Sequence, residues 1–206
     1  MNYYPIYLNL MDKKAVVIGG GKVAERKIQG LIEAKAWITV VSPNLTEQLY
    51  QCCLEGEITW KQKTFSAEDI NDAFLIIAAA NDPEVSLAVK HAAAPNQLLN
   101  LADNPEESNF ILPSVYKQGK LSMTVSTSGA SPILAKKIKQ NLSSQYGAEY
   151  KDYVDFLYDC RKWILQEVTD PKLKKYLLSA ITEREFVTSA NRQKDFKDLL
   201  DKWSQS

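Results

Sequence analysis

Ala15-Val16-Val17-Ile18-Gly19-Gly20-Gly21-Lys22-Val23-Ala24-Glu25 joins a short apolar run to a glycine cluster and then to the start of an amphipathic stretch. The order reads as strand, tight turn and helix. Gly19, Gly21 and Ala24 fill the three small positions of G-x-G-x-x-G/A, the dinucleotide-binding fingerprint. Gly19 allows the turn, Gly21 lets backbone approach a pyrophosphate, and Ala24 lets the helix lie close to the strand. The helix start offers free N–H groups and a partial positive charge to phosphates. A glycine-rich turn with no ligand has the same spelling, so the position between strand and helix is what gives the motif weight.

Outward from this turn the chain alternates. Residues 37–41 are β-branched and predict a second strand. Ser42-Pro43-Asn44 breaks it, and Asn44 is placed to cap a helix over 45–54. Residues 58–65 alternate as a third strand, with a turn or short helix at 66–69. The unbroken apolar run 73–80 predicts a fully buried strand. Asp82-Pro83 starts another helix, and 98–102 is a fifth strand. Before the fingerprint, 3–10 reads as a short strand or a lead-in. Strands alternating with helices predict a parallel, doubly wound sheet ending near residue 112.

The pattern then changes. Residues 110–115 and 120–126 are strand-like and joined through Lys117-Gln118-Gly119, a hairpin signal. Ser126-Thr127-Ser128-Gly129-Ala130-Ser131-Pro132 follows, with Ser131 as N-cap and Pro132 as first residue of a helix over 133–142. After Gly147 the chain reads as helical, and the aromatics of its stripes, Tyr150, Tyr153, Tyr158 and Trp163, then Tyr176, then Phe196 and Trp203, read as core. The expected class is α/β: a Rossmann-like parallel sheet over 1–112, a small α+β domain over 113–146 and a helical domain over 147–206.

Composition sets bounds. The chain has 206 residues, is 45% hydrophobic, and balances 25 basic against 25 acidic side chains. That balance suggests neither nucleic acid nor an anionic membrane as partner. The first residues lack a basic n-region and an apolar h-region, and no run approaches the ~20 residues of a membrane span. The cysteines are Cys52, Cys53 and Cys160. They form neither a disulfide framework nor a zinc spacing. A reducing cytoplasm is the simple expectation.

The glycine turn extended to Arg26-Lys27, with Asn100-Leu101-Ala102-Asp103, Phe110-Ile111-Leu112-Pro113-Ser114 and the 126–132 run, resembles the precorrin-2 dehydrogenase family over about residues 3–145. That family comprises stand-alone enzymes and the N-terminal part of siroheme synthases. The resemblance implies NAD-dependent oxidation of precorrin-2 to sirohydrochlorin, a Rossmann domain, a middle dimerisation domain and a homodimer. Some members also insert ferrous iron. It implies that Lys22 and Val23 stand at the phosphate turn, that Pro43 and Asn44 flank the adenosine, and that Asp103 is the acid/base. The chain ends soon after the helical tail, with no appended methyltransferase, so precorrin-2 is expected from a separate enzyme, and chelation either from this protein or from another.

The general fingerprint places a carboxylate at the end of strand two to bind the ribose hydroxyls. Here that end is Val41-Ser42-Pro43-Asn44, with no acid and no arginine for a 2′-phosphate, which leaves NAD favoured over NADP. Ala80 ends strand four and lines the same crevice, unless Asn81 or Asp82 is simply a helix cap. Asp103 lies just past a strand end, where such sheets bind ligands, although aspartate is also common in turns. Ser126, Thr127, Ser128 and Gly129 precede a helix start and make an anion-friendly loop for a polycarboxylate, or merely a cap. Lys136, Lys137 and Lys139 read first as a solvated helix face. Arg26 and Lys27 reach phosphate or face solvent. His91 is the only histidine, so no histidine-rich metal site is expected. The rival readings are a bifunctional dehydrogenase–ferrochelatase and an NAD-sensing regulatory module. A polar substrate cleft favours the enzymes.

Overall fold

The computed structural model of the protein describes residues 3–204, without the side chains of residues 203 and 204. The expected core role of Trp203 therefore lies outside the described residues. The chain divides into two units, Met1–Leu112 and Pro113–Ser206.

The first unit is one parallel sheet. Its strands are β1 (Lys14–Ile18), β2 (Trp37–Val41), β3 (Ile58–Lys61), β4 (Leu75–Ala78) and β5 (Leu98–Leu101), in the order β3-β2-β1-β4-β5. The chain winds outward from β1 through β2 to β3, then returns to the other side of β1 with β4. This reversal opens a crevice at the carboxyl ends of β1 and β4, where doubly wound sheets bind ligands. Helices α1 (Lys22–Glu33), α2 (Glu47–Leu54) and α3 (Pro83–Ala92) make the crossovers.

Successive strand residues feed opposite faces. Val17, Val40 and Ile77 pack with Ala24, Ile28 and Leu31 of α1. Val16, Ile76 and Leu99 pack with Ile70 and Val89 on the other side. Covering both faces explains why these strands read as apolar runs. Strands β3 and β4 are shorter than the sequence suggests. The chain turns at Lys63, whose N–H donates to Lys61 O at 2.9 Å, and Phe74 is exposed. Residues 3–10 form no strand, although Leu10 is buried against the core.

The outer edge of β5 is closed by side chains. Asn109 Oδ1 accepts from Leu99 N at 2.8 Å, Asn109 N donates to Leu99 O at 3.0 Å, and Asn109 Nδ2 donates to Gln97 O at 2.7 Å. Ser108 Oγ accepts from Leu101 N at 2.9 Å. Ser108 and Asn109 thus satisfy the edge without forming a sixth strand.

The second unit begins with an antiparallel pair, β6 (Ser114–Gln118) and β7 (Leu121–Val125). Gly119-Lys120 forms the connection, with Gly119 at φ +60°. The turn lies later than the Lys117-Gln118-Gly119 reading because Gln118 still pairs with Leu121. Residues 110–113 are not strand. Helix α4 (Pro132–Gln145) packs on this pair. Helices α5 (Glu149–Glu167), α6 (Pro171–Ala180), α7 (Arg184–Thr188) and α8 (Arg192–Ser204) follow. Tyr153, Phe156, Cys160 and Ile164 line one face of α5 at helical spacing and join Leu177, Ile181, Phe186 and Phe196 in a core. Tyr158 and Tyr176 depart from the core reading, since both are exposed, and Trp163 departs in part, exposed on one side while stacking edge-on against Phe196. Among the described residues, no helix is long and apolar enough to cross a membrane.

Candidate functional site

The glycine turn is built by close approach. Gly19 N donates to Val41 O at 3.0 Å, and Ala79 N donates to Ile18 O at 2.8 Å, so the turn is stitched to β2 and to the end of β4. Gly19 has φ +114°, and a Cβ there would lie 2.5 Å from Ala79 O. A Cβ on Gly20 would lie 2.1 Å from Asn44 O. The fingerprint leaves this middle position open, but here the loop after β2 rests directly on it. Gly21 differs: it is exposed, and a Cβ would meet nothing within 4 Å. It is the N-cap of α1 and has no side chain to bond the helix N–H groups. Val23 is exposed beside it, and Ala24 is buried beneath α1. An open approach to uncapped N–H groups suits a pyrophosphate, so these residues fit a dinucleotide.

Lys22 turns away from that approach. Its ammonium sits 3.0 Å from the carboxylate of Glu25, which also accepts from Thr46 Oγ1 at 2.6 Å. The Thr46 hydroxyl and Lys22 hold the Glu25 carboxyl below its ordinary range. Thr46 N donates to Gly20 O at 2.9 Å, and Thr46 Oγ1 accepts from Leu49 N at 3.3 Å. Thr46, not Asn44, therefore caps α2. The Asn44 side chain belongs to an exposed loop whose backbone carbonyl accepts from Ser42 Oγ at 2.7 Å. Ser42 is buried, while Pro43 and Asn44 are exposed. Trp60 Nε1 donates to Ser42 O at 2.9 Å and fixes the same loop from β3.

Two further residues hold this edge of the sheet. Asp69 is 3% exposed and pairs with Lys61 and Lys63, each at 2.9 Å. Burial pushes its carboxyl up, but the hydrogen bonds from both lysines and Ser66 N outweigh that and hold it at about 2. Lys27 points into the unit, not to phosphate. Its Nζ donates to Asn100 Oδ1 at 2.9 Å, and Asn100 Nδ2 donates to Phe110 O at 3.1 Å. Burial, then neighbouring Arg26, lowers the Lys27 ammonium from its ordinary range.

Ala80 is half-buried at the end of β4, and Asp82 caps α3 by accepting from Glu84 N at 2.9 Å. Ala102 N donates to Ala78 O at 2.9 Å, so the β4–β5 ladder runs to the residue before Asp103. Asp103 is exposed, and no described residue bonds its carboxylate. Gly19, Gly21, Lys22, Val23, Ser42, Pro43, Asn44, Ala80 and Asp103 thus share the carboxyl edge of one sheet.

Ser126, Thr127, Ser128 and Gly129 lie in the second unit, between β7 and α4. Ser126 Oγ accepts from Ser128 N at 3.1 Å, Thr127 Oγ1 accepts from Ser131 N at 3.0 Å, and Ser131 Oγ caps Leu134 N at 3.2 Å. Ser128 and Gly129 have φ +50° and +89°. His91 is exposed on α3. Among the described residues, no group of three or more His, Cys, Asp or Glu side chains could hold a metal ion.

Sequence reasoning missed Gly20, Glu25, Thr46 and the Lys27–Asn100 pair. The third glycine and the serine/threonine cap rule offered signals for Gly20 and Thr46. Partners 21 and 73 residues apart offered none for Glu25 and Lys27.

Comparison with known proteins places this geometry. An NAD(P)-binding family model matches residues 6–114, a sirohaem biosynthesis protein central model matches 118–145, and a SirC C-terminal domain model matches 150–196. A precorrin-2 dehydrogenase of Priestia megaterium is 34% identical over 200 residues, covering 97% of this chain and 99% of that protein. One of Bacillus subtilis is 35% identical over 158 residues, covering 77% and 98%. A siroheme synthase of Nitrosococcus oceani is 36% identical over 192 residues, and the match spans 41% of its length. The solved structure of "SirC, precorrin-2 dehydrogenase" superposes with a TM-score of 0.85 at 34% identity, covering 97% of this chain and 100% of that one. An α/β fold with the glycine turn at its switch point, matched over nearly its whole length by stand-alone relatives, makes this chain a member of the precorrin-2 dehydrogenase family.

Proposed function

We propose that the protein oxidises precorrin-2 to sirohydrochlorin with NAD in the cytoplasm, as a homodimer. The observation that carries the reading is the shared sheet edge. An uncapped, open helix start at Gly21, after β1, and an Asp103 carboxylate that no described residue bonds, after β5, stand at the carboxyl edge of the same sheet. The near full-length likeness to stand-alone relatives named precorrin-2 dehydrogenase supports the substrate.

NAD, when bound, supplies the hydride acceptor. The backbone at Gly19, Gly21, Lys22 and Val23 holds its phosphates, and Ser42, Pro43, Asn44 and Ala80 line the dinucleotide path. Lys22 acts there through its backbone N–H, because its ammonium is engaged by Glu25. Oxidation removes a hydride and a proton from the tetrapyrrole. The Asp103 carboxylate takes the proton. Ser126, Thr127, Ser128 and Gly129 receive substrate carboxylates through hydroxyl hydrogens and backbone.

Residues 113–146 serve as the dimerisation domain and 147–206 as the helical domain. Exposed Val115, Ile133, Leu134 and Ile138 in the former support a covered face in a homodimer.

Asp103→Asn tests the assignment, because it keeps shape but cannot accept the proton. Sirohydrochlorin formation, followed by absorbance with precorrin-2 and NAD, should fall about 10²–10⁴-fold. NAD affinity by calorimetry should hold. Turnover at the parental rate would remove Asp103 from proton transfer.

A further inference from the structure

The end of β2 lacks the carboxylate that ordinarily recognises the adenosine ribose, yet a carboxylate stands at the same connection. Glu25 reaches it from the first turn of α1. Its Oε2 accepts from the hydroxyl of Thr46, the residue that closes the β2–α2 connection and caps α2. The contact is held from three sides. Thr46 N is fixed to Gly20 O, the Asn44 carbonyl leaves no room for a Cβ on Gly20, and Ser42 Oγ donates to that carbonyl.

The local charges divide unevenly. Lys61 and Lys63, at the end of neighbouring β3, are both bound to buried Asp69. Lys22, the cation on Glu25, is 78% exposed, whereas the Glu25 side chain is 15% exposed. A solvated ammonium is screened more than a sheltered carboxylate. The start of α2, otherwise suited to an extra phosphate, therefore faces an anion and a threonine cap.

Resting on the NAD reading above, we infer that Glu25 is the specificity-determining carboxylate of this site, supplied from α1 instead of β2, and that it excludes the 2′-phosphate of NADP by charge. Thr46 positions it. Lys22 offsets part of its field.

Calorimetric binding of NAD and NADP to the full chain tests this. The parent should prefer NAD. Glu25→Gln keeps the shape and can still accept from Thr46. It should tighten NADP about tenfold and change NAD less than about threefold, the scale of a like-charge contact in a partly solvated crevice. Lys22→Met should widen the preference for NAD. A Glu25→Gln ratio within about twofold of the parent's, when one charge should shift it about tenfold, overturns the role of Glu25 and leaves the NAD reading standing. A parent without preference overturns both.

Salt provides a check on the parent that is independent of how any variant folds. Raising ionic strength from about 0.1 M to 1 M shortens the screening length from about 10 to 3 Å. If Glu25 repels the extra phosphate, the gap between NAD and NADP narrows. A gap that stays constant or widens overturns the inference.

Discussion

Two turns in this molecule share a plan and differ in what holds them. Each ends a strand, contains glycine and opens a helix. The 19–24 turn is held by backbone from β2, β4 and the β2–α2 loop, and it leaves its helix start uncapped. The 126–132 turn is held by its own hydroxyls, on Ser126, Thr127 and Ser131, and its helix start is capped from within. The first spends neighbours and keeps its N–H groups for a ligand. The second spends several of its N–H groups on itself, which leaves chiefly hydroxyl hydrogens and Gly129 to offer an anion. A strand–glycine–helix spelling therefore does not by itself say whether a turn keeps its N–H groups free or spends them on itself.

Adding one methyl group should break the comparison most sharply. Gly20→Ala drives a Cβ into the Asn44 carbonyl at 2.1 Å. It should cost roughly 3 kcal/mol or more in chemical unfolding and abolish NAD binding. Gly21→Ala beside it meets open space and should cost less than about 1 kcal/mol. A Gly20→Ala protein as stable as the parent would show that the β2–α2 loop does not brace the turn.

Acid should loosen the first unit through one carboxylate. Asp69 sits at about 2 in the folded chain against an ordinary 3.8. A depressed carboxyl stabilises the fold above its unfolded value, and that contribution is lost as pH falls from about 4 through 2. The loss should be roughly 2 kcal/mol, and Asp69→Asn should flatten this part of the pH–stability curve. An unchanged curve would mean that the two lysines do not hold Asp69 in solution.

The smallest effect belongs to the second turn. Ser131→Ala removes the cap on Leu134 N and should cost about 1 kcal/mol in thermal unfolding. NAD affinity should not change. A loss of several kcal/mol would mean that this turn is braced from outside, like the first.

The alternating part of the chain was legible because buried parallel strands leave apolar runs and their helices leave periodic stripes. Residues 37–41 are β2 at both ends, and Asp82-Pro83 opens α3 as expected. Local spelling failed where a tertiary partner chose between equivalent signals. Asn44 and Thr46 are both good caps, and only Thr46 meets Gly20 and Glu25. Lys27 after a phosphate turn reads as a phosphate ligand or a solvated side chain, and it is neither, because β5 brings Asn100 beneath it. At the hairpin, pairing of Gln118 with Leu121 moved the bend by a residue or two. The position of Asp103 just past β5 was legible, at the strand ends where doubly wound sheets gather ligands.

The seal on β5 has a consequence for how the protein behaves in a crowded solution. Open parallel sheets invite recruitment, because each unpaired rim can template another chain. Here Asn109 and Ser108 imitate a neighbouring strand with side-chain groups that cannot propagate the ladder further. The sheet is terminated much as a growing polymer is end-capped. On that side, cross-β accretion would first have to strip away bonds the protein already makes to itself.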